Sequence, residues 1–180
     1  LERKNNILQQ QFHVSRPNEV WVSDVTYFSV FNRMYYICVI IDLYARKVIA
    51  YKISKHNSTQ LTKATVKSAY ETRMPIGELL FHSDQGCNYT SKQFRKYLKS
   101  INIKQSFSNP GMPYDNSVME SFFGSFKREA LYRYHFKTEK DFFRGVDTYM
   151  AFYNERRPHS VLMNQTPSKF EANYYNIYKR

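Results

Sequence analysis

Between Val20 and Ile53 the chain carries three apolar stretches, Val20–Val30, Met34–Ile41 and Lys47–Ile53, parted only by short turns. Each is rich in Val, Ile, Tyr and Phe, which is the pattern of three meandering antiparallel strands. Asn57 or Ser58 then caps a helix with Leu61, Ala64, Thr65, Ser68 and Ala69 at helical spacing, stopped by Met74-Pro75-Ile76-Gly77. Leu79-Leu80-Phe81 reads as a short buried strand ending in the polar turn His82–Gly86. A helix starting near Ser91 buries Phe94, Tyr97 and Leu98, and Ile101–Phe107 is a fifth strand. The loop Ser108–Tyr114 holds Asn109-Pro110-Gly111 and Pro113, so it is neither helix nor strand. Helices follow from about Asp115 to Tyr132 and from about Thr138 to Tyr153. The predicted class is α/β, a five-stranded mixed sheet flanked by helices with a C-terminal helical extension.

Residues 1–17 are polar and basic and read as a linker from something upstream. Residues 18–155 form the core, and 156–180 a basic tail. A composition 42% apolar predicts a packed globule. No run approaches the roughly 18 apolar residues that span a bilayer, so no membrane partner is expected. Lys and Arg total 27 against 15 acidic residues, a net charge of +12. Such an excess favours a polyanionic partner, nucleic acid before an anionic membrane. Cys38 and Cys87 form no CxxC or zinc-spaced cluster; Cys38 reads as a core thiol, and a reducing cytoplasm suits both.

Three carboxylates stand out. Asp24 sits inside the first strand, where Asp is disfavoured and a buried charge is costly unless paired or bound to metal. Asp84 follows the fourth strand, at the end of the sheet where ligands of open α/β folds bind. Glu120 lies on a helix whose faces can be read at about 100° per residue. Val118, Met119, Phe122, Phe123, Phe126 and Ala130 fall within an arc of roughly 160° to 300° from Glu120. Lys127 returns to within about 20° of Glu120, with Ser117, Ser121, Gly124 and Arg128 between. One side is built to pack on a sheet, and the other offers a carboxylate, a cation and small residues. Three carboxylates without His or Cys suit hard cations, Mg²⁺ or Mn²⁺ rather than zinc. Asp42 reads as a turn residue closing the second strand, and Asp115 as the cap of the helix bearing Glu120.

These residues fall into blocks that resemble the OrfB transposases of the third insertion-sequence family, relatives of retroviral integrases. The blocks are Pro17–Tyr27 around Asp24, His82–Tyr89 around Asp84, and Gly111–Phe123 around Glu120. Thirty-five residues, 85 to 119, separate Asp84 from Glu120, and Lys127 stands two turns further on. A trailing block, Tyr153–Ser160 then Thr166-Pro167, also matches. The resemblance implies an RNase H-like fold, whose order βββαβαβαα agrees with the elements above. It implies a transposase in which Asp24, Asp84 and Glu120 hold two Mg²⁺ or Mn²⁺ ions for 3′-end cleavage and strand transfer. DNA, as element ends and target, is the implied partner, with a homo-oligomer on paired ends in the bacterial nucleoid. Lys127 is expected at phosphate near the cut end. His82, Gln85, Tyr114 and Asn116 are expected to shape the pocket or DNA path, and Arg128, Arg156, Arg157 and His159 to contact DNA. For Arg156, Arg157 and His159, helix capping and tail packing is an equal alternative.

Two rivals were weighed. Ribonuclease H would share fold and metals but needs a Glu in the first turn of its first helix, where this chain has Thr59, Gln60 and Leu61. A non-catalytic DNA-binding descendant is disfavoured by the intact three carboxylates. Exposed Tyr89, Tyr132 or Tyr134 are candidates for stacking on unpaired bases.

Overall fold

The computed structural model describes residues 4–178. Strands β1 (Val20–Val30), β2 (Arg33–Asp42) and β3 (Lys47–Ser54) form the antiparallel meander read from the sequence. Helix α1 (Thr59–Arg73) starts at Ser58, whose side chain accepts the Leu61 N–H, and stops at Met74 in the left-handed conformation. Next come β4 (Leu79–Ser83), a single turn α2 (Cys87–Thr90), α3 (Lys92–Ser100) and β5 (Ile103–Phe107). Helices α4 (Ser117–Phe126), α5 (Glu139–Glu155) and α6 (Pro167–Tyr178) complete the chain.

The sheet order is β3-β2-β1-β4-β5, with β4 parallel to both β1 and β5. Side-chain alternation sorts its two faces. Val20 and Val22 join Ile37, Val39 and Ile41 under α4 and α5, where Phe122, Phe126, Phe142 and Val146 are buried. Trp21, Ile40 and Phe81 pack on the other face with Val66, Phe94 and Leu98 of α1 and α3. Each fully buried Phe contributes about 1.5–3 kcal/mol, so these faces hold the helices that carry the site.

Three readings are corrected by tertiary contacts. The helix bearing Glu120 is α-helical only to Phe126 and continues as a π turn over Lys127–Leu131. Asp115 does not cap it. The helix is preceded by a 3-10 turn (Pro113–Asn116), and the buried Asp115 carboxylate accepts from the Asn109 N–H, Asn6 Nδ2 and Gln10 Nε2, each at 2.8 Å. Tyr89 is buried rather than exposed, its hydroxyl 2.8 Å from Ser23 Oγ.

Segments near both ends of the described residues are held by the core. Leu8 is buried, Ser106 Oγ accepts the Ile7 and Leu8 N–H groups, and the Phe107 N–H bonds to the Asn5 carbonyl. At the other end, Glu171 of α6 is buried and pairs with Arg73 and with Lys47 at 2.7 Å.

Candidate active site

Parallel pairing brings Asp24 and Asp84 together. Val20, Trp21 and Val22 face Leu80, Phe81 and His82, a constant offset in numbering that, extended past the last ladder bond, sets Asp24 beside Asp84. Asp24 remains paired with Val39 of β2, and its Oδ1 accepts the Val25 N–H at 2.7 Å. Asp84 leaves β4 in a tight turn closed by the Gly86 N–H to its Oδ1 at 2.9 Å. A Cβ at position 86 would stand 2.9 Å from that same oxygen, so a larger residue there would push the Asp84 carboxylate aside.

Glu120 arrives by a different route. Asn116 Nδ2 donates to the Ser23 carbonyl at 3.3 Å, which fastens the start of α4 to the residue before Asp24. Met119, Phe122, Phe123 and Phe126 are buried against the sheet and Val118 packs on the same cluster, as the helix reading required. Glu120 is thereby left exposed at the first turn of α4.

The electrostatics reflect this convergence. Burial, then the Asp84 charge, and to a lesser degree Glu120 raise the Asp24 carboxyl to about 7, opposed by the Val25 N–H. Among the described residues, Asp24 Oδ2, Asp84 Oδ2 and both Glu120 oxygens accept no hydrogen bond, and none of the three carboxylates has an ion-pair partner. Asp24 lies in the field of both other carboxylates without the three being closed into a ligand set: no group of three or more His, Cys, Asp or Glu among the described residues stands ready to hold a metal. The donor set is all oxygen, partly desolvated and short of positive charge, which fits a hard divalent cation.

Around the carboxylates, the remaining expected residues divide sharply. Lys127 Nζ lies 5.2 Å over the Tyr27 ring. Tyr114, Arg128 and Arg156 are exposed, and Gln85 Nε2 donates to the Ser108 carbonyl, tying the loops after β4 and β5. His82 is fully buried, and burial lowers it to about 4, so it is neutral at pH 7. Ser106 Oγ already accepts two backbone N–H groups, so its one proton goes to His82 Nδ1, and Nε2–H donates to Ser108 Oγ at 3.1 Å. His82 thus braces β4 on β5 and offers no cation to phosphate, against the expectation of a DNA contact. Asn116 is likewise buried, and its Oδ1 has no hydrogen-bond partner. Its amide ties the start of α4 to β1 at Ser23.

Two residues of the trailing block serve packing. Arg157 makes a two-pronged pair with Glu129, Nε at 2.9 Å and Nη2 at 2.8 Å, so its charge is already neutralised. His159 is buried edge-on to Tyr153, with ring centroids 4.6 Å apart. Tyr27, which the sequence offered only as the end of the Pro17–Tyr27 block, is exposed beneath Lys127; its place in β1 three residues beyond Asp24 was the available signal.

Residues 14–113, more than half of the chain, match the integrase core domain family, and residues 101–167 match a second integrase core domain description. Over 170 residues the chain is 36% identical to InsK of insertion sequence element IS150 from Escherichia coli strain K12, covering 94% of this chain and 60% of that protein. It is 34% identical to the transposase for insertion sequence element IS904 of Lactococcus lactis subsp. lactis strain IL1403, covering 92% and 66%. The chain therefore spans about three-fifths of the length of the curated relatives it matches. Among solved structures, it superposes on a chain of the simian T-cell lymphotropic virus intasome with TM-score 0.75 at 21% identity, covering 94% of this chain and 61% of that one. The HTLV-2 integrase catalytic core domain in complex with magnesium matches with TM-score 0.71 at 19% identity, over 87% of this chain and 97% of that one. The fold is accordingly RNase H-like. With both integrase core matches in place and insertion-sequence relatives along nearly its whole length, the chain belongs to the integrase core family, in its branch of OrfB-type transposases of the third insertion-sequence family.

Proposed function

We propose that this chain is the catalytic part of a DNA transposase that cleaves a 3′ strand at an element's end and joins it to target DNA. The observation that carries the reading is the electrostatic meeting of Asp24, Asp84 and Glu120, with oxygens left unpartnered at a parallel-strand end. Asp24, Asp84 and Glu120 would hold two Mg²⁺ or Mn²⁺ ions. When bound, such a pair activates the attacking oxygen and stabilises the leaving one in an in-line displacement. In the first step the oxygen of water bonds to phosphorus and the 3′ oxygen departs as a hydroxyl. In the second, that 3′-OH bonds to a target phosphorus and a target 3′-OH is released, so neither ATP nor a protein–DNA covalent bond is needed.

The chain's own groups position the strands. Asn116 holds β1 against α4, Gly86 keeps the approach to Asp84 clear, and Lys127 supplies a cation about two turns from Glu120. Tyr114, Arg128 and Arg156 supply exposed contacts, and an excess of +12 favours the polyanion. In this reading residues 18–155 carry catalysis and residues 156–180 add basic contacts, with assembly as a homo-oligomer on paired ends. Among the described residues no helix is long and apolar enough to cross a membrane.

The test is strand joining, with Mg²⁺ or Mn²⁺, on duplexes bearing the ends of the element that encodes the protein. Asp24→Asn, Asp84→Asn and Glu120→Gln should each lower joining by on the order of 10²–10³-fold or more while leaving DNA binding largely intact. Near-normal joining by Glu120→Gln would remove Glu120 from the site.

A further inference from the structure

Beyond Val22, strand β1 has no neighbour on its outer side, because β4 pairs only with Val20–Val22. The segment Asn116–Tyr132, with α4 at its centre, runs along this open edge and touches it at rising levels. Asn116 binds the Ser23 carbonyl, Lys127 covers Tyr27, and the Tyr132 ring lies 5.9 Å from that of Phe28. From Asp24 to Tyr27 is about 10 Å along a strand, and from Glu120 to Lys127 about 10 Å along a helix. Two elements that begin at the carboxylates thus meet again, one level up, in a cation and an aromatic ring.

That ring is unusually free. Tyr27 is 59% exposed and its hydroxyl makes no hydrogen bond among the described residues. Two other lysines lie over tyrosine rings, but Tyr35 is buried and Tyr97 half-buried. Of the three lysine-covered rings among the described residues, Tyr27 is the most exposed. Lys127 makes no ion pair among the described residues, so its charge is available to a phosphate. Tyr132, 67% exposed, extends the aromatic surface along the same edge.

We propose that Tyr27 is a stacking seat for an unpaired nucleobase of the DNA strand entering the site, within about three nucleotides of the phosphate at the carboxylates, at about 3.4 Å per stacked step. The proposal rests on the catalytic reading above for what lies at the carboxylates. Lys127 covers one side of the ring and attracts the backbone, and the base takes the open side, an arrangement tolerant of base identity. Frayed or mismatched ends are then better ligands than fully paired ones, because the seat takes only a base already out of its pair.

The test measures binding without chemistry, in buffer lacking divalent metal. Duplexes carry 2-aminopurine in a three-nucleotide unpaired 3′ tail, with the fully paired duplex as control. Wild-type protein should quench the probe and prefer the tailed duplex. Tyr27→Ala should abolish the quench and reduce the preference by about 5- to 150-fold, the range available from stacking one base. Tyr27→Phe and Tyr27→Trp should retain both, and the Phe variant guards against a folding defect in the Ala variant. Unchanged quenching in Tyr27→Ala, loss of quenching in Tyr27→Phe, or no binding of the tailed duplex by wild type would each overturn the seat. These outcomes are separable from failure of the catalytic reading, which is decided by joining in the carboxylate variants.

Discussion

Two aspartates on neighbouring strands, Asp42 buried and Asp24 half-buried, sit in opposite electrical circumstances. At the Asp42 end, the carboxylate accepts the Asn18 N–H at 2.7 Å, the Tyr44 N–H at 3.0 Å and Arg73 Nη2 at 3.1 Å. Glu171 joins it, and Arg73 with Lys47 balance the two negative charges. At the Asp24 end three carboxylates gather, each Asp bonded to one nearby backbone N–H, and none paired with a cation. Burial raises both, Asp42 to about 6 and Asp24 to about 7. What separates them is the second cause: at Asp42 the backbone N–H groups and Arg73 pull the value down, whereas at Asp24 Asp84 pushes it further up. A balanced cluster holds a structure together. In the proposed function, the unbalanced one is where a cation would bind.

If this contrast is right, removing a partner at the balanced end should cost most. Arg73→Ala would leave two buried carboxylates short of a cation and release α6, a loss of about 3–5 kcal/mol. For a domain of this size that is a fall in Tm of roughly 6–20 °C by calorimetry. A fall of one degree would mean the cluster contributes little.

The next largest effect should come from the strut between the carboxylates. Asn116→Ala leaves the buried Ser23 carbonyl without its donor, at a cost of about 1–3 kcal/mol. Joining should fall more than DNA binding, because Asp24 and Glu120 lose their common tie. Equal falls in both would make Asn116 a general packing residue.

The smallest shift carries the most telling sign. Asp24 holds its proton more tightly folded, at about 7, than unfolded, near the ordinary 3.8. Its ionisation therefore destabilises the metal-free protein, and the stability from this group declines as pH rises from about 4 through 7. Asp24→Asn should remove that decline, so its metal-free Tm at pH 8 should equal or exceed wild type, while near pH 4 the two converge. The same proton competes with a cation, so Mg²⁺ affinity measured by titration should rise with pH up to about 7. A Tm at pH 8 clearly lowered by Asp24→Asn would show that Asp24 is compensated after all, like Asp42.

Much of this was legible in one dimension. The meander from Val20 to Ile53, the Ser58 cap and the buried face of α4 follow from local periodicity and turn chemistry, which act over a few residues. The blocks around Asp24, Asp84 and Glu120 were legible for the same reason, since each is a short continuous motif. Tyr89, expected at the surface, is buried, and the burial of His82, Asn116 and His159 and the pairing of Arg157 with Glu129 were not legible. Their partners, among them Ser106, Ser23 and Glu129, lie too far along the chain for any local pattern to indicate.

The sequence by itself determined the elements, their order and which carboxylates were worth watching, because strand alternation and helical repeat are properties of neighbours. Only the tertiary structure decided that β4 lies parallel to β1, setting Asp84 beside Asp24, and that α4 climbs the open edge of β1 to cover Tyr27 with Lys127. The difference is physical: periodicity says which face of an element is apolar, but which charges then share a dielectric depends on how those faces are stacked.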